Sequence, residues 1–381
     1  MESFLIIGAG IGGLATAHAL LQQGHTVQVH EAAAELREVG AGVVLGANAM
    51  RALAGLGLHE AVLAQGTAIT RLSVCAQNGS VLQAVDPEYF SRKVGFANVG
   101  IHRAVLQQVL LASLPTGVLR LNSRLASFQE TPTGITAQFA DGTTATATAL
   151  IGADGLRSRV RQQLLPQSQP RYAGYTCWRA VVEAAALKLP EGQTVEIWGS
   201  KGRRFGYVPV SQGRAYWFAC LNSAQPQNPR FQAYEVPDLQ QTFQNFPAPV
   251  PALLQLTRPE QLLWNDILDL KPLKRLAYGR VLLLGDAGHA TTPNLGQGAG
   301  QAVEDAAVLA ECVAADASLE TAFQAFERRR LPRVTRIVTT SWQLGQVAQL
   351  ENPGLIGLRN LAMRSLPQAV GRRQMAWLYE S

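Results

Sequence analysis

The 381-residue sequence has no run of 18 consecutive apolar residues, so no segment reads as a membrane-spanning helix. It has only four cysteines, Cys75, Cys177, Cys220 and Cys312, far apart and without metal-ligand spacing. They read as reduced core thiols in a reducing, cytoplasmic compartment, and no metal site is expected. No basic n-region precedes the first apolar run, because Met1-Glu2-Ser3 leads straight into Phe4; a secretory leader is not expected. The 35 glycines follow no period, which excludes collagen and solenoid arrays. A nucleophile elbow, a second dinucleotide fingerprint and a basic-plus-aromatic nucleic-acid module are all missing.

What remains is a globular, core-rich chain with 47% hydrophobic and 16% charged residues. Its length suggests two interleaved domains. The net charge of +6 is unevenly placed: from Arg328 to Arg373 there are nine arginines and one acid, Glu351. That stretch reads as a solvated, arginine-rich helical face. An acidic partner or an anionic membrane surface is the sharper reading of it.

Phe4-Leu5-Ile6-Ile7 is an all-apolar run of the kind a buried parallel strand requires. A glycine turn follows, then a helix from Leu14 to Gln23 stopped by Gly24, then a strand from Thr26 to His30 that ends at Glu31. This is a βαβ unit. Arg37 to Asn48 reads as a glycine-rich loop, with a helix from Ala49. Residues 70–90 read as strands with polar turns, and residues 103–113 as a helix. Residues 118–151 alternate as strands with an Asp141-Gly142 hairpin signal. Residues 172–222 are again strand-like. Val281 to Leu284 is a second short buried strand, followed by a loop and a helix that begins near Gly298 to Gln301. The tail after Arg333 is helical in composition, and Asn352-Pro353-Gly354 divides it.

The first chemical constellation is Gly8-x-Gly10-x-x-Gly13. Gly8 permits a tight turn, Gly10 lets backbone approach a pyrophosphate, and Gly13 lets the helix pack on the strand. The helix start offers N–H groups and a positive dipole end to phosphates. Glu31, 18 residues after Gly13, is placed to accept ribose hydroxyls and would repel a 2′-phosphate. The second constellation is Gly285-Asp286-Ala287-Gly288-His289 with Pro293-Asn294-Leu295-Gly296-Gln297-Gly298 and Glu304-Asp305. Gly152-Ala153-Asp154-Gly155, Arg37 and Arg103 complete the set.

Together these five features resemble the para-hydroxybenzoate hydroxylase family of single-component FAD monooxygenases, over roughly residues 4–335. Tetracycline-inactivating, salicylate and urate hydroxylases share this motif set. The resemblance implies an α/β fold: a discontinuous Rossmann-like FAD-binding domain, an inserted mixed or antiparallel β-sheet substrate domain and a C-terminal helix. The expected boundaries are 1–70, 95–165 and 279–335 for the FAD-binding domain, 71–94 and 166–278 for the substrate domain, and 336–381 for the helical tail. It implies that Gly8, Gly10, Gly13 and Glu31 hold the ADP half of FAD, that Arg37, Arg103 and Asp286 contact FAD, and that Asp154 serves FAD and NAD(P)H. The loop from Pro293 through Gly296 to Gly298 is implied to lie beside the isoalloxazine. It also implies hydride uptake from NADPH or NADH, addition of O₂ to give a flavin hydroperoxide, and transfer of one oxygen to an aromatic or polycyclic small molecule. Such transfer needs a dry pocket, and the cofactor supplies the hard chemistry. A thioredoxin-like C-terminal domain of the kind phenol hydroxylase relatives carry is not expected, and the paired-tryptophan motif of flavin halogenases is missing, so halogenation is disfavoured.

For the substrate side, Arg204 to Pro209 and Ala215 to Phe218 are expected to be neighbouring strands. Period-2 reading puts Phe205 and Tyr207 on one face and Arg204 on the other. Arg204 is a candidate for a substrate anion, Tyr216 for polarising an aromatic hydroxyl, and Phe205 and Tyr207 for substrate contact; the alternative is sheet packing for the aromatics and exposure for Arg204. Tyr175 and Arg179 have similar standing, and His289 reads as a loop-fixing residue. Two further functions stay open: an FAD-dependent reductase without oxygen insertion, and a non-enzymatic FAD-binding regulator.

Overall fold

The computed structural model describes residues 1–36, 41–367 and 376–379. Arg37 lies outside them. Six strands form one sheet in the order Ala277–Tyr278, Val281–Leu283, Ala149–Gly152, Ser3–Ile7, Thr26–His30, Leu119–Arg120, parallel except at the first pair. Ser3–Ile7 sits in the middle, and both of its faces are covered. Phe4 and Ile6 join the core under the helices Ile11–Gln22 and Gly298–Ala315, whereas Leu5 and Ile7 join the core under a small antiparallel sheet, residues 125–147. Burial on both sides is why its sequence shows no polar alternation.

A second sheet has seven strands in the order Leu263–Asp269, Arg171–Glu183, Arg214–Asn222, Arg204–Val210, Gln193–Trp198, Arg71–Ala76, Val81–Val85. It is antiparallel except where Gln193–Trp198 runs parallel to Arg71–Ala76. One face is covered by the helices Val236–Phe243 and Val250–Gln255. The other looks toward the loop at Asn294 and the long helix Leu319–Ala348. That 30-residue helix bridges the molecule: Phe323 and Phe326 pack in the first core, while Trp342, Leu344 and Ala348 pack against the seven-stranded sheet.

Two local expectations need correction. Within the stretch read as loop, Gly42–Leu45 is a strand paired antiparallel with Asn98–His102; the β-branched Val43-Val44 decides it once a partner strand is available. Within the stretch read as strands, Pro87–Val94 is a helix. Asp86 accepts from the Tyr89 N–H at 3.1 Å, Pro87 occupies the first turn, and Gly95 closes it at φ 85°. All three are ordinary helix signals.

The basic stretch is not simply a solvated face. Arg330 is 2% exposed and Arg359 6%. Arg329 pairs with Glu311 at 2.6 Å, the Arg336 guanidinium lies 4.0 Å from the Trp377 ring, and Arg364 donates to Ser80 at 2.6 Å. The last helix, Pro353–Ser365, is turned inside out. Arg359 faces inward and donates to the Val347 and Ala348 carbonyls at the end of the long helix, while Leu355, Leu358 and Leu361 are 50–64% exposed. A cation at a helix C-terminus satisfies carbonyls that have no partner of their own within the helix. Among the described residues no helix is long and apolar enough to cross a membrane.

Candidate functional site

The glycine turn is built as a cradle. Gly8 has φ 106°, and a Cβ there would meet the Ala153 carbonyl oxygen at 2.4 Å. A Cβ on Gly13 would meet the Gly8 oxygen at 2.0 Å, so the helix packs directly on the turn. Gly10, the N-cap of Ile11–Gln22, faces open space and offers no side chain to the first N–H groups. Glu31 closes the other side: its Oε2 accepts from the Ala9 N–H at 2.8 Å and its Oε1 from Ala33 at 2.9 Å. A carboxylate has lone pairs left over after two such bonds.

Across the sheet, Val281–Leu283 delivers Gly285, at φ 55°, and the short turn Asp286–His289. Asp286 keeps surface open to water although the chain packs densely around it. Burial raises its carboxyl, and the charges of His289 and Arg103 partly offset that. Arg103 opens the helix Arg103–Ala112, its N–H held by the Ala41 carbonyl at 3.1 Å. Asp154 lies beside Gly8, but its carboxylate is committed locally: it accepts from the Arg159 N–H at 2.7 Å, the Val160 N–H at 3.2 Å and the Ser158 hydroxyl. It therefore fixes the start of Arg159–Leu164.

The loop between the two sheets is pinned by Asn294. Its Oδ1 accepts from Tyr175 Oη at 3.1 Å and from Arg204 Nη1 at 2.8 Å. Its Nδ2 donates to Thr292 Oγ1 and to the Ser341 carbonyl, both at 2.9 Å. Pro293 is exposed, and its carbonyl accepts from Gly296, which sits at φ 63°. Gly298 then begins the helix Gly298–Ala315.

Behind the loop lies a closed ionic network. His289 Nε2 and Asp305 Oδ2 are 2.6 Å apart, and Asp305 Oδ1 accepts from Arg330 Nε at 2.7 Å. Arg330 also reaches Glu304 at 2.7 Å, and Glu304 accepts from Arg333 at 2.7 and 3.0 Å and from Asn48. Arg333 continues to the carbonyls of Trp377 and Leu378. His289 is thus held in a loop-fixing position.

Strand register sorts the remaining candidates. Tyr175, Cys177 and Arg179, with Tyr216, Phe218 and Cys220 and with Arg204, share the face that looks toward Asn294. Phe205 and Tyr207 share the opposite face with Trp178 and Trp217, in the core beneath Val236–Phe243. Their choice as substrate contacts is corrected: the helices, and not a ligand, cover that side. The exposure considered for Arg204 is also corrected, since it is 2% exposed. Its Nη1 is 3.3 Å from Glu196, its Nη2 donates to Cys220 at 3.7 Å, and its Nε has no protein partner. Arg179 donates to Cys177 at 3.5 Å. Burial pushes the phenols of Tyr175 and Tyr216 up against the opposing pull of the arginines, so both stay protonated donors at neutral pH. Tyr216 also backs onto Gly42, where a Cβ would lie 2.6 Å from its own.

The family profile described as an FAD binding domain matches residues 2–341. The chain belongs to this family. Among its relatives, the aurachin C monooxygenase/isomerase of Stigmatella aurantiaca is 38% identical, with 95% of this chain and 94% of that protein covered. The 2-heptyl-3-hydroxy-4(1H)-quinolone synthase of Pseudomonas aeruginosa is 32% identical, with 97% and 95% covered. The Klebsiella pneumoniae protein HpxO, solved with FAD and uric acid, superposes with a TM-score of 0.90 at 29% identity, covering 99% of this chain and 97% of that one. This FAD-binding-family member is an FAD-dependent monooxygenase of aromatic substrates. The relatives favour oxygen insertion over the reductase and regulator readings. The cradle suits the cofactor, since Gly10 leaves space where a pyrophosphate needs close backbone approach. FAD supplies the redox chemistry, with NADPH or NADH as electron donor.

Sequence reasoning left Asn294 as one member of a loop motif and the two facing cysteines as unrelated core residues. No spacing rule ties Asn294 to Arg204, 90 residues away, or Cys177 to Cys220. Only strand register does.

Proposed function

We propose that the substrate is a flat, nitrogen-containing bicyclic aromatic of the 4-quinolone class, hydroxylated at the ring carbon next to the one that carries its exocyclic oxygen. The observation that carries this is the pairing of the two guanidinium groups beside the Tyr216 phenol: Arg204 has the Glu196 carboxylate at 3.3 Å, whereas Arg179 meets no carboxylate among the described residues. Positive charge and a protonated phenol in a confined site favour an oxygen that gains negative charge as the ring is activated. The ring class is supported by the relative that is 32% identical over nearly the whole chain, a synthase of an alkylated hydroxyquinolone.

In this reading Gly8, Gly10 and Gly13 cradle the pyrophosphate and Glu31 takes the ribose hydroxyls. Arg103, Asp286 and, on the resemblance, Arg37 contact FAD. Asp154 acts through the turn it braces. Pro293, Gly296 and Gly298 border the flavin ring, and Asn294 holds that loop to Arg204 and Tyr175. Arg204 and Arg179 orient the substrate oxygen, and Tyr216 donates to it. The enzyme works in the cytoplasm, where its four thiols stay reduced.

The test is a panel of 2-alkyl-4-quinolones, urate and salicylate, scored by NAD(P)H oxidation minus peroxide release and by product mass. A quinolone should stimulate NAD(P)H oxidation at least tenfold and gain one oxygen. Urate or salicylate giving coupled product, while quinolones raise only peroxide, would refute the quinolone assignment and leave the monooxygenase standing.

A further inference from the structure

Cys177 and Cys220 lie directly opposite each other on neighbouring antiparallel strands. The backbone bonds say which kind of pair they make. At one end of the ladder Ser223 donates to the Gly174 carbonyl at 3.0 Å, and at the other Ala184 donates to the Gly213 carbonyl at 2.9 Å. Both continue the strand register, in which Tyr175 faces Asn222 and Glu183 faces Arg214. Hydrogen-bonded and non-hydrogen-bonded pairs alternate along such a ladder. Counting from either end makes the even-numbered residues of Arg171–Glu183 the hydrogen-bonded ones. Cys177 and Cys220 therefore form a non-hydrogen-bonded pair. There Cα atoms approach to about 4.5 Å and side chains are closest, inside the range of about 4.4–6.8 Å that a disulfide spans.

Their surroundings divide the two thiols into roles. Arg179 Nε donates to Cys177 at 3.5 Å and Arg204 Nη2 to Cys220 at 3.7 Å. Burial by itself would raise the Cys177 thiol, but the hydrogen bond from Cys220 and the charges of Arg179 and Arg204 outweigh it and hold that thiol below the usual range. Burial pushes Cys220 up, and its neighbour's charge adds to this. These opposite directions favour Cys177 as the attacking and Cys220 as the resolving sulfur.

We propose that Cys177 and Cys220 are a peroxide-reactive dithiol beside Arg179 and Arg204, which hydrogen peroxide closes to a disulfide. The Cys177 thiolate attacks one peroxide oxygen; the O–O bond breaks and hydroxide leaves, taking a proton to become water. The Cys220 thiol then attacks the sulfenic sulfur, the S–S bond forms, and a second water leaves with the Cys220 proton. Two thiols are oxidised and one peroxide is reduced. Both side chains are almost wholly buried, which bars bulky disulfide reagents, whereas hydrogen peroxide is close to water in size. Peroxide is also what a flavin monooxygenase releases when oxygen transfer fails. Closing the bond removes the thiolate that offsets Arg179 and ties together the two strands that present the arginines. On the reading that these arginines orient the substrate, oxidation slows turnover.

The experiment treats the folded, FAD-loaded full chain with hydrogen peroxide, removes the peroxide, unfolds the chain in denaturant that contains the alkylating agent or dimedone, and maps peptides. The expected result is a peptide joining Cys177 to Cys220, reversed by dithiothreitol, with Cys75 and Cys312 still alkylated. The Cys220→Ser variant should give no such peptide and should accumulate a Cys177 sulfenic acid that dimedone traps. Substrate-dependent NAD(P)H oxidation should fall at least fivefold in step with the crosslink and return on reduction. Both thiols remaining alkylatable at doses that oxidise exposed methionine overturns the dithiol assignment. A complete crosslink with unchanged turnover overturns the coupling to the arginines, whatever the identity of the substrate.

Discussion

Two groups of buried and half-buried arginine can be compared. Behind the Asn294 loop, Arg330 and Arg333, with His289 beside them, meet the Asp305 and Glu304 carboxylates, and nearly every donor has a partner. On the seven-stranded sheet, Arg204 and Arg179 meet Glu196 and two sulfurs, and Arg204 Nε has no protein partner. The first group is closed and the second is open. Buried charge is costly unless paired, so a closed network accounts for itself by holding helices together. An open one is left with capacity for something else. Charge bookkeeping thus separates structural from functional arginines where residue type alone cannot.

The sharpest way to break the comparison is to open the closed network. Arg330 bonds at once to Asp305, Glu304 and Gln301 and is 2% exposed. Replacing it with methionine keeps bulk but leaves two buried carboxylates short of a cation, a loss of about 3–5 kcal/mol. Arg330→Met should lower the unfolding midpoint by several degrees and release FAD during gel filtration, since the network also holds His289 and the turn that carries Asp286. An unchanged midpoint would mean that the pairing is incidental.

Acid probes the same distinction more gently. Asp305 and Glu304 are held low by the charges of His289, Arg330 and Arg333 against the cost of burial. The contribution of these two carboxylates is present above the unfolded carboxylate range and is lost as pH falls through that range toward their lowered folded values, so it is unchanged from pH 7 down to about 5. His30 behaves oppositely. It stacks on Phe139 at 4.2 Å, its Nδ1 lies 2.7 Å from Ser123 Oγ, and its Nε2 has no partner. Burial, with the Arg120 charge, lowers its pKa to about 4. Protonation therefore favours the unfolded chain, and stability declines as pH drops from 6.5 toward 4, by up to about 3 kcal/mol at roughly 1.4 kcal/mol per unit. Urea midpoints at pH 7 and 4.5 should differ less in His30→Gln than in the wild type; an equal difference sinks this account.

How much of this was legible in advance follows from range. The Gly8-to-Gly13 turn, Glu31 and the strand Val281–Leu283 announce themselves because each is a local pattern with a local physical cause. The helix Pro87–Val94 was equally local, with Asp86, Pro87 and Gly95 as signals, and went unread among strands. The Asn294-facing surface was legible only by halves: period 2 separates Arg204 from Phe205, but it does not say which face a helix pair covers. That depends on Val236–Phe243 and Val250–Gln255, which come later in the chain. The closed network was invisible, because its members come from helices whose crossing no spacing rule supplies.

The smallest expected effect tests the open group directly. Arg179 is partly exposed, lies on the face shared with Tyr216, and has one donor directed at Cys177. It belongs to no closed pairing, so Arg179→Gln should change the unfolding free energy by less than about 1 kcal/mol, within the range of substitutions that break no named interaction. If the guanidinium orients an oxygen that gains charge during ring activation, losing one charge-assisted hydrogen bond should cost about 1.5–3 kcal/mol in kcat/KM, on the order of 10- to 100-fold. The loss should come with more peroxide per NAD(P)H consumed, because a misplaced ring fails to receive the oxygen. Glutamine keeps the size and a donor but not the charge, and lysine restores the charge without the fork. Recovery in Arg179→Lys, absent in Arg179→Gln, would make charge the decisive property. Equal coupling in all three forms would move Arg179 to the structural group, and Arg204 would then be the sole cation of the open group.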